Sequence, residues 1–273
     1  MTEKAPAVKQ VTIRDLQAKK RDGTKLVMVS AYDALFGRLA DEGGVDAVLV
    51  GDSVGNVIAG FDSTVKVTLD QMIYHGAATR RGVTRALLVV DMPFLTYHTG
   101  EQQAIVNTGR VMQETGAQAV KLEGGTEQIA SAVAAVVRCG IPAMGHIGFT
   151  PQSVHALGGF RVQGRSDEEA TRMIDQARRL EDAGAFALVL ELVPSELAAR
   201  ITESLTIPTI GIGAGAGCDG QVLVLPDLVG LTDRFTPRYL KRYAEMAEEV
   251  RAAVRRFGDE VRAGEFPSED HGF

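Results

Sequence analysis

The sequence predicts an α/β fold, a single closed barrel of eight alternating strand–helix units, and three observations carry that prediction. About eight short runs are continuously apolar rather than alternating, as a parallel strand covered on both faces requires. Longer amphipathic stretches separate most of them, in an alternation repeated about eight times. The length, 273 residues, suits a barrel, which typically takes about 250. The rival arrangement is an open doubly wound sheet, but the GxGxxG turn diagnostic of its first strand is missing.

Each element follows from its own pattern. The apolar runs, rich in Val, Leu, Ile, Ala and Met, fall at 26–30, 47–50, 86–90, 119–122, 141–144, 187–190, 208–212 and 221–225. Between them, the stretch 35–42 carries Leu35 and Leu39 at helical spacing. Thr68 followed by Gln71 is a capping signal that opens a helix running toward Gly82. The stretches 101–115, 126–138, 167–182 and 195–204 read as helices by the same rule. Most end at glycine (Gly43, Gly82, Gly116, Gly140, Gly184), the common helix stop. An N-terminal extension of about 1–20 precedes the barrel, and a helix near 237–257 with a tail at 263–273 follows it, giving a C-terminal appendage of about 236–273. Nothing in between reads as a linker, so 1–273 is expected to form one domain.

Composition narrows the function. With 29 Lys and Arg against 35 Asp and Glu, the net charge is −6, with no Trp and 5% aromatic residues. That is not the basic, stacking surface of a nucleic-acid binder. No apolar run approaches the roughly 20 residues of a membrane span, and the charged N-terminus shows no secretory h-region. Cys139 and Cys218 stand far apart without CxxC spacing. Both are expected to be small buried apolar side chains in a reducing cytoplasm.

In such a barrel the active site forms at the C-terminal ends of the strands. The second run leads to Asp52 and Ser53, the third to Asp91, the fourth to Lys121 interleaved with Glu123, the fifth to His146 and the sixth to Glu191. Lone acidic residues such as Asp33 and Asp227 read as helix N-caps. Four carboxylates gathered at one mouth, however, repel one another strongly and call for a cation. An oxygen-only donor set suits Mg²⁺ before Mn²⁺ or Ca²⁺, whereas zinc would recruit His or Cys, which show no such spacing. Asp52, Asp91 and Glu123 can supply the ligands. Lys121, two residues from Glu123 and so on the same strand face, can hold a substrate anion. Glu191, across the mouth, is the candidate base. The Gly-rich loop at 211–215 fits either a phosphate cradle or a plain tight turn. His146 fits a ligand contact or a structural role, and His75 and His98 receive no role.

These residues sit in stretches that resemble the ketopantoate hydroxymethyltransferase family: VGDSVGNV at 50–57, VTLDQMIYH at 67–75, VVDMPF at 89–94, VKLEGG at 120–125, MGHIGFTPQSV at 144–154, GGFRVQGR at 158–165, LVLELVP at 188–194 and IGIGAGAGCDGQVLV at 210–224. They run in family order over about residues 11 to 235. The resemblance implies a (β/α)₈ TIM barrel of the phosphoenolpyruvate/pyruvate type, with the additional C-terminal helix. It implies a cytoplasmic, Mg²⁺-dependent enzyme, a homo-oligomer and often a decamer. The implied reaction moves a one-carbon hydroxymethyl unit from 5,10-methylenetetrahydrofolate to 3-methyl-2-oxobutanoate, through a Mg²⁺-stabilised enolate, giving 2-dehydropantoate for pantothenate synthesis. By motif, Asp52 and Asp91 become metal and substrate contacts, Glu123 the third metal-site carboxylate, Ser53 and Lys121 oxo-acid contacts, and Glu191 the proton acceptor. The match weakens in the C-terminal helix, which leaves the oligomer contacts open.

Two other readings compete. A Mg²⁺-dependent lyase or mutase of the same barrel type would act on a 2-oxo acid without a folate donor. A non-catalytic scaffold would have no reason to keep Asp52, Asp91, Lys121, Glu123 and Glu191 together.

Overall fold

A computed structural model describes residues 9–232 and 236–273. The first part of the expected N-terminal extension, residues 1–8, lies outside the described residues, as do residues 233–235 of the C-terminal appendage. The chain divides into two compact units, one ending at Val224 and the other spanning Leu225–Phe273.

The first unit opens with α1 (Ile13–Arg21), β1 (Leu26–Ser30), α2 (Ala34–Glu42), β2 (Ala47–Val50), the single turn α3 (Val54–Val57), α4 (Leu69–Arg80) and β3 (Leu87–Asp91). It continues with α5 (Glu101–Thr115), β4 (Ala119–Glu123), α6 (Glu127–Arg138), β5 (Ala143–Gly148), α7 (Asp167–Asp182), β6 (Ala187–Glu191), α8 (Ser195–Ser204), β7 (Thr209–Ile212) and β8 (Gly220–Val224). All eight strands pair in parallel and in order, and β8 closes the sheet on β1 through the register Leu26 with Gly220 to Ser30 with Val224. The expected closed barrel is the observed one, except that β7 passes to β8 without an intervening helix.

Period two along each strand sorts the barrel's interior into layers. The lower interior is apolar: Leu26 and Met28, Ala47 and Leu49, Leu87 and Val89, Ala119, Met144, Ala187 and Val189, Ile210 and Val222 form one cluster. Stepping two residues onward from that cluster reaches Asp91 on β3, Lys121 and then Glu123 on β4, His146 on β5 and Glu191 on β6. The other strand face packs against helices, which is why β2, β3 and β4 are buried throughout and are apolar except where Asp91, Lys121 and Glu123 enter the site.

Helix α1, where sequence reading expected only an extension, settles which end of the barrel stays open. Its Leu16 is buried in the interior cluster. Lys19 pairs with Asp46 just before β2, Lys20 with Asp219 just before β8, and the N–H of Val11 donates to the carbonyl of Arg85 just before β3. The helix therefore stoppers the N-terminal ends of the strands. Its mixed Lys and Arg content hides a single buried face, so its apolar period is weak in sequence.

Local chemistry fixes the helix ends. Asp33 caps α2 by accepting from the N–H of Phe36. Thr68 and Gln71 form the expected capping box on α4, and Ser166 with Glu169 forms another on α7. Gly82 is required for a different reason from the other stops: a Cβ there would meet the carbonyl oxygen of Ala34 at 2.1 Å, so it marks close helix–helix approach.

The second unit holds α9 (Leu225–Leu228) and α10 (Met246–Ala263). The C-terminal helix starts nine residues later than the position 237 expected from sequence. The segment before it is pinned as a strap, with the N–H groups of Tyr243 and Met246 donating to the carbonyls of Leu228 and Val229. Those bonds compete with helix formation and win. Asp227 lies inside α9, where it accepts from the Thr232 hydroxyl, so it is not the N-cap expected for it. Cys218 is buried as expected, but Cys139 is exposed because it caps the end of α6.

Candidate active site

The C-terminal ends of β2 to β6 bring six of the singled-out residues into one buried cluster. Asp52, Asp91, Lys121, Glu123 and His146 are each at most 4% exposed, and Glu191 is nearly buried at 14% for its side chain. Strand register sets them side by side: Asp91 pairs with Lys121, Glu123 with His146, and Gly148 with Glu191.

Three of the carboxylates share one device. Each has one oxygen held by a neutral N–H: Asp52 Oδ2 by Gln152 Nε2 at 2.9 Å, Asp91 Oδ2 by the Asp52 main chain at 3.0 Å, and Glu123 Oε2 by the Gln152 main chain at 3.1 Å. The other oxygens of Asp91 and Glu123 face the Lys121 ammonium, at 2.9 and 3.6 Å. With all three ionised, these carboxylates outweigh the single ammonium by two charges in a buried site.

Their proton affinities reflect that imbalance. Burial, then repulsion from Glu123, pushes Asp52 up to about 7. Burial does the same to Asp91, up to about 7, with Lys121 opposing and Asp52 and Glu123 adding. Glu123 is raised by burial against the pull of Lys121. Lys121 loses solvation on burial, but Asp91, Glu123 and Asp52 together outweigh that and hold it charged. His146 is pushed down to about 4 by burial and by Lys121, so it is neutral.

This cluster fits a divalent cation on its own chemistry. The donor set is oxygen, the excess charge is two, and the anchored oxygens leave each carboxylate a second one. Among the described residues no three His, Cys, Asp or Glu side chains form a ready-made metal cage; Lys121 Nζ stands between Asp91 and Glu123 instead. A full cage is what Ca²⁺ or Zn²⁺ would need, whereas Mg²⁺ binds through one or two carboxylates and keeps several waters.

Beyond His146 stands Glu191. His146 Nδ1 lies 3.1 Å from Lys121 Nζ, and its Nε2 lies 3.3 Å from Glu191 Oε2. Burial raises the Glu191 proton affinity while the His146 contact lowers it. The backbone around Glu191 is shaped tightly. Leu192, next in the chain, has a left-handed φ of +48°, unusual for a branched residue. Gly148 faces it with φ +97°, and a Cβ there would meet the Glu191 carbonyl oxygen at 2.2 Å.

Ser53 lies at the rim, partly buried, its hydroxyl 2.8 Å from the Tyr32 hydroxyl, which is 2.7 Å from that of Ser30. Among the residues without an expected role, His75 Nδ1 sits 2.8 Å from the Tyr32 carbonyl, a structural contact, and His98 stacks on Tyr97. The loop at 211–215 owes its glycines at least partly to packing: a Cβ on Gly215 would meet Ser195 Oγ at 2.3 Å. Sequence reading passed over Gln152, Tyr97 and Tyr32. Gln152 had a usable signal, since TPQ follows directly on the strand that ends beyond His146.

A closed (β/α)₈ barrel whose C-terminal face gathers a buried ammonium among carboxylates, with a further carboxylate beyond His146, has the groups that acid–base chemistry requires. The comparisons with known proteins agree and go further. The family model described as ketopantoate hydroxymethyltransferase matches residues 10–269, and the chain belongs to that family. It is 52% identical over 265 residues to the 3-methyl-2-oxobutanoate hydroxymethyltransferase of Pelobacter propionicus, covering 97% of this chain and 98% of that one. It is 55% identical over 263 residues to the enzyme of the same name from Oleidesulfovibrio alaskensis, covering 96% and 90%. Among solved structures it resembles a phosphonopyruvate hydrolase complex with oxalate and Mg²⁺ (TM-score 0.59, 14% identity, 94% and 92% covered). It also resembles 2,3-dimethylmalate lyase, of the PEP mutase/isocitrate lyase superfamily (TM-score 0.59, 16% identity, 96% and 91% covered). At those identities the structural likeness speaks to the fold.

Proposed function

We propose that this chain transfers a hydroxymethyl unit from 5,10-methylenetetrahydrofolate to 3-methyl-2-oxobutanoate, forming 2-dehydropantoate for pantothenate synthesis. The observation that carries the reading is one strand-end cluster in which a charged Lys121, set among Asp52, Asp91 and Glu123, and the largely buried carboxylate of Glu191 flank the same His146 ring. Proton abstraction next to a ketone needs this pairing: a base on one side and positive charge where the oxyanion grows on the other.

Asp52 and Asp91, with Glu123, would hold Mg²⁺, which when bound supplies Lewis-acid polarisation of the oxo acid. Lys121 and Ser53 bind and orient the oxo acid at the same mouth. Glu191 accepts the proton from C3, and the electron pair moves toward the carbonyl oxygen, where the Lys121 ammonium stabilises the developing charge. Water adds to the donor's methylene group and tetrahydrofolate leaves, releasing the one-carbon unit at the oxidation level of formaldehyde. Carbon C3 attacks its carbonyl carbon, and the carbonyl oxygen takes up a proton to become the new hydroxyl. The apolar interior and the α1 stopper exclude water from below, which strengthens each of these electrostatic contacts.

In this reading the protein works in the cytoplasm as a homo-oligomer, a decamer by likeness to its family, and residues 1–273 act as one functional domain. Two findings accord with that setting. No described helix is long and apolar enough to cross a membrane, and both cysteines are free. The test is product formation from 3-methyl-2-oxobutanoate and Mg²⁺ with and without the folate donor. Dependence on the donor supports the transferase, whereas turnover without it points to the lyase or mutase alternative.

A further inference from the structure

Gln152 sits on the short turn Pro151–Ser153 that follows β5 and is 4% exposed. Its main-chain N–H and both ends of its side-chain amide are engaged within the cluster. Its main-chain N–H donates to Glu123 Oε2 at 3.1 Å, and its side-chain Nε2 donates to Asp52 Oδ2 at 2.9 Å and to the Met92 carbonyl at 2.9 Å. Its Oε1 lies 2.8 Å from the Tyr97 hydroxyl, which is 3.1 Å from both the N–H and the carbonyl of Glu123.

The direction of each bond is forced. Asp52 Oδ2 and the Met92 carbonyl are both acceptors, so the Gln152 amide must turn its NH₂ toward them. Its Oε1 then faces Tyr97 and accepts. The Tyr97 O–H is spent on that bond, so its oxygen accepts from the Glu123 N–H. The result is a closed loop, from Glu123 main chain through Tyr97 and the Gln152 side chain to Asp52, and from the Gln152 main chain back to the Glu123 carboxylate. Asp52 in turn holds Asp91 through its N–H. One residue thus ties two of the three carboxylates directly and the third through its neighbour.

We propose that Gln152, braced by Tyr97, is a positioning residue that presents Asp52 and Glu123 to a divalent cation and so sets the cation affinity of the site. The proposal rests on the reading of Asp52, Asp91 and Glu123 as cation ligands. Neutral donors are the right chemistry for this task. They fix one oxygen of each carboxylate without neutralising it, whereas a second Lys or Arg would compete with the cation. A Pro-led turn at 151–153 limits the backbone freedom of the clamp. Removing such outer partners typically weakens metal binding about 10–100-fold.

The test measures Mn²⁺ binding by the loss of the free Mn²⁺ electron paramagnetic resonance signal, with the full-length chain. Q152M keeps the side chain's bulk and removes both side-chain polar atoms; Y97F removes only the brace. The Mn²⁺ dissociation constant is expected to rise about 10–100-fold in Q152M, and by a smaller factor, at least about threefold, in Y97F. Circular dichroism below the melting temperature checks that each variant is folded. A merely structural Gln152 would lower the melting temperature and leave the dissociation constant of the folded protein alone. Folded variants that bind Mn²⁺ within about twofold of wild type overturn the proposal, and if Q152M fails to fold, Y97F decides it by the same criterion. Absence of Mn²⁺ binding in the wild-type chain is a distinct result: it removes the cation reading of the cluster and the clamp with it.

Discussion

Glu191→Gln separates proton abstraction from everything else the site does. The amide is nearly isosteric with the carboxylate and can still accept from His146 Nε2, 3.3 Å away in the native site. Asp52, Asp91 and Glu123 lie on or after β2, β3 and β4, whereas Glu191 ends β6, so cation binding should stay within about twofold of wild type. What is lost is a base. General-base catalysis contributes about 10²–10⁴-fold, equivalent to about 2.7–5.4 kcal/mol of barrel-bound transition-state stabilisation. The assay is deuterium exchange at C3 of 3-methyl-2-oxobutanoate in D₂O with saturating Mg²⁺, followed by the fading proton resonance, with the folate donor left out so that only abstraction is read. The wild-type rate should also show an acid limb. Glu191 must be ionised to accept a proton, and burial raises its proton affinity, so exchange is lost as pH falls through a value above the ordinary glutamate pKa of about 4.3. In the Gln variant that limb disappears along with the rate. Exchange at the wild-type rate in a folded Glu191→Gln protein would refute the assignment and place the base elsewhere.

Three further outcomes follow from the same geometry. Gly148→Ala, whose Cβ would meet the Glu191 carbonyl at 2.2 Å and Val193 Cγ2 at 2.8 Å, should displace β6 at its catalytic end and slow C3 exchange about 10²-fold; an unchanged rate would show that Glu191 tolerates movement. Asp41→Ala removes a carboxylate that accepts from the N–H groups of Thr84, Arg85 and Ala86 and from the Thr84 hydroxyl. With buried donors costing about 1–3 kcal/mol each when unpaired and water rescuing some, urea unfolding should show a loss of about 3–5 kcal/mol, and a loss under about 1 would deny that anchor its role. Finally, Asp52 and Asp91, pushed up to about 7 from an unfolded value of about 3.9, hold protons in the folded state that the unfolded chain has released. Their contribution to stability is present at low pH and falls as pH rises from about 4 to about 7. Mg²⁺ should therefore raise the melting temperature more at pH 8 than at pH 5.5, and equal shifts at both would contradict the charge argument.

Much of the barrel was legible because its rules are local. A parallel strand buried on both faces has to be mostly apolar, and the eight runs show it, with Lys121 aimed into the site and Val27 and Gln221 exposed on β1 and β8 as exceptions. Helices α5, α7 and α8 begin and end where amphipathic period and caps place them. The residues leaving β2 to β6 were also legible, since topology alone assigns strand ends to one face. What escaped depends on contacts that a sequence does not index. Helix α1 has only Leu16 fully buried, too little to show a period. The C-terminal helix starts at Met246 because main-chain bonds to Leu228 and Val229 hold the preceding segment, and no pattern in residues 237–245 announces those partners. Gln152 and Tyr97 were passed over because neutral side chains look interchangeable in sequence; their importance lies in which acceptors surround them.

The site's organisation turns on Lys121 and the state it imposes on His146. The imidazole stands between two carboxylates, with Nδ1 3.2 Å from Glu123 Oε1 and Nε2 3.3 Å from Glu191 Oε2. Being neutral, it can donate to only one of them. An ammonium has no acceptor, so Lys121 at 3.1 Å from Nδ1 requires that nitrogen to present its lone pair, and the proton sits on Nε2 facing Glu191. Nε2 is buried without an aligned hydrogen bond, but at 3.3 Å its positive N–H end still favours the ionised form of Glu191 and offsets part of the burial that raises its proton affinity. Lys121 therefore acts twice: its charge faces the carboxylate cluster where an oxyanion would form, and through His146 it keeps the opposing carboxylate able to accept a proton. In the proposed mechanism the base and the charge that stabilises its product would both depend on this one side chain, acting together with the burial that first makes His146 neutral.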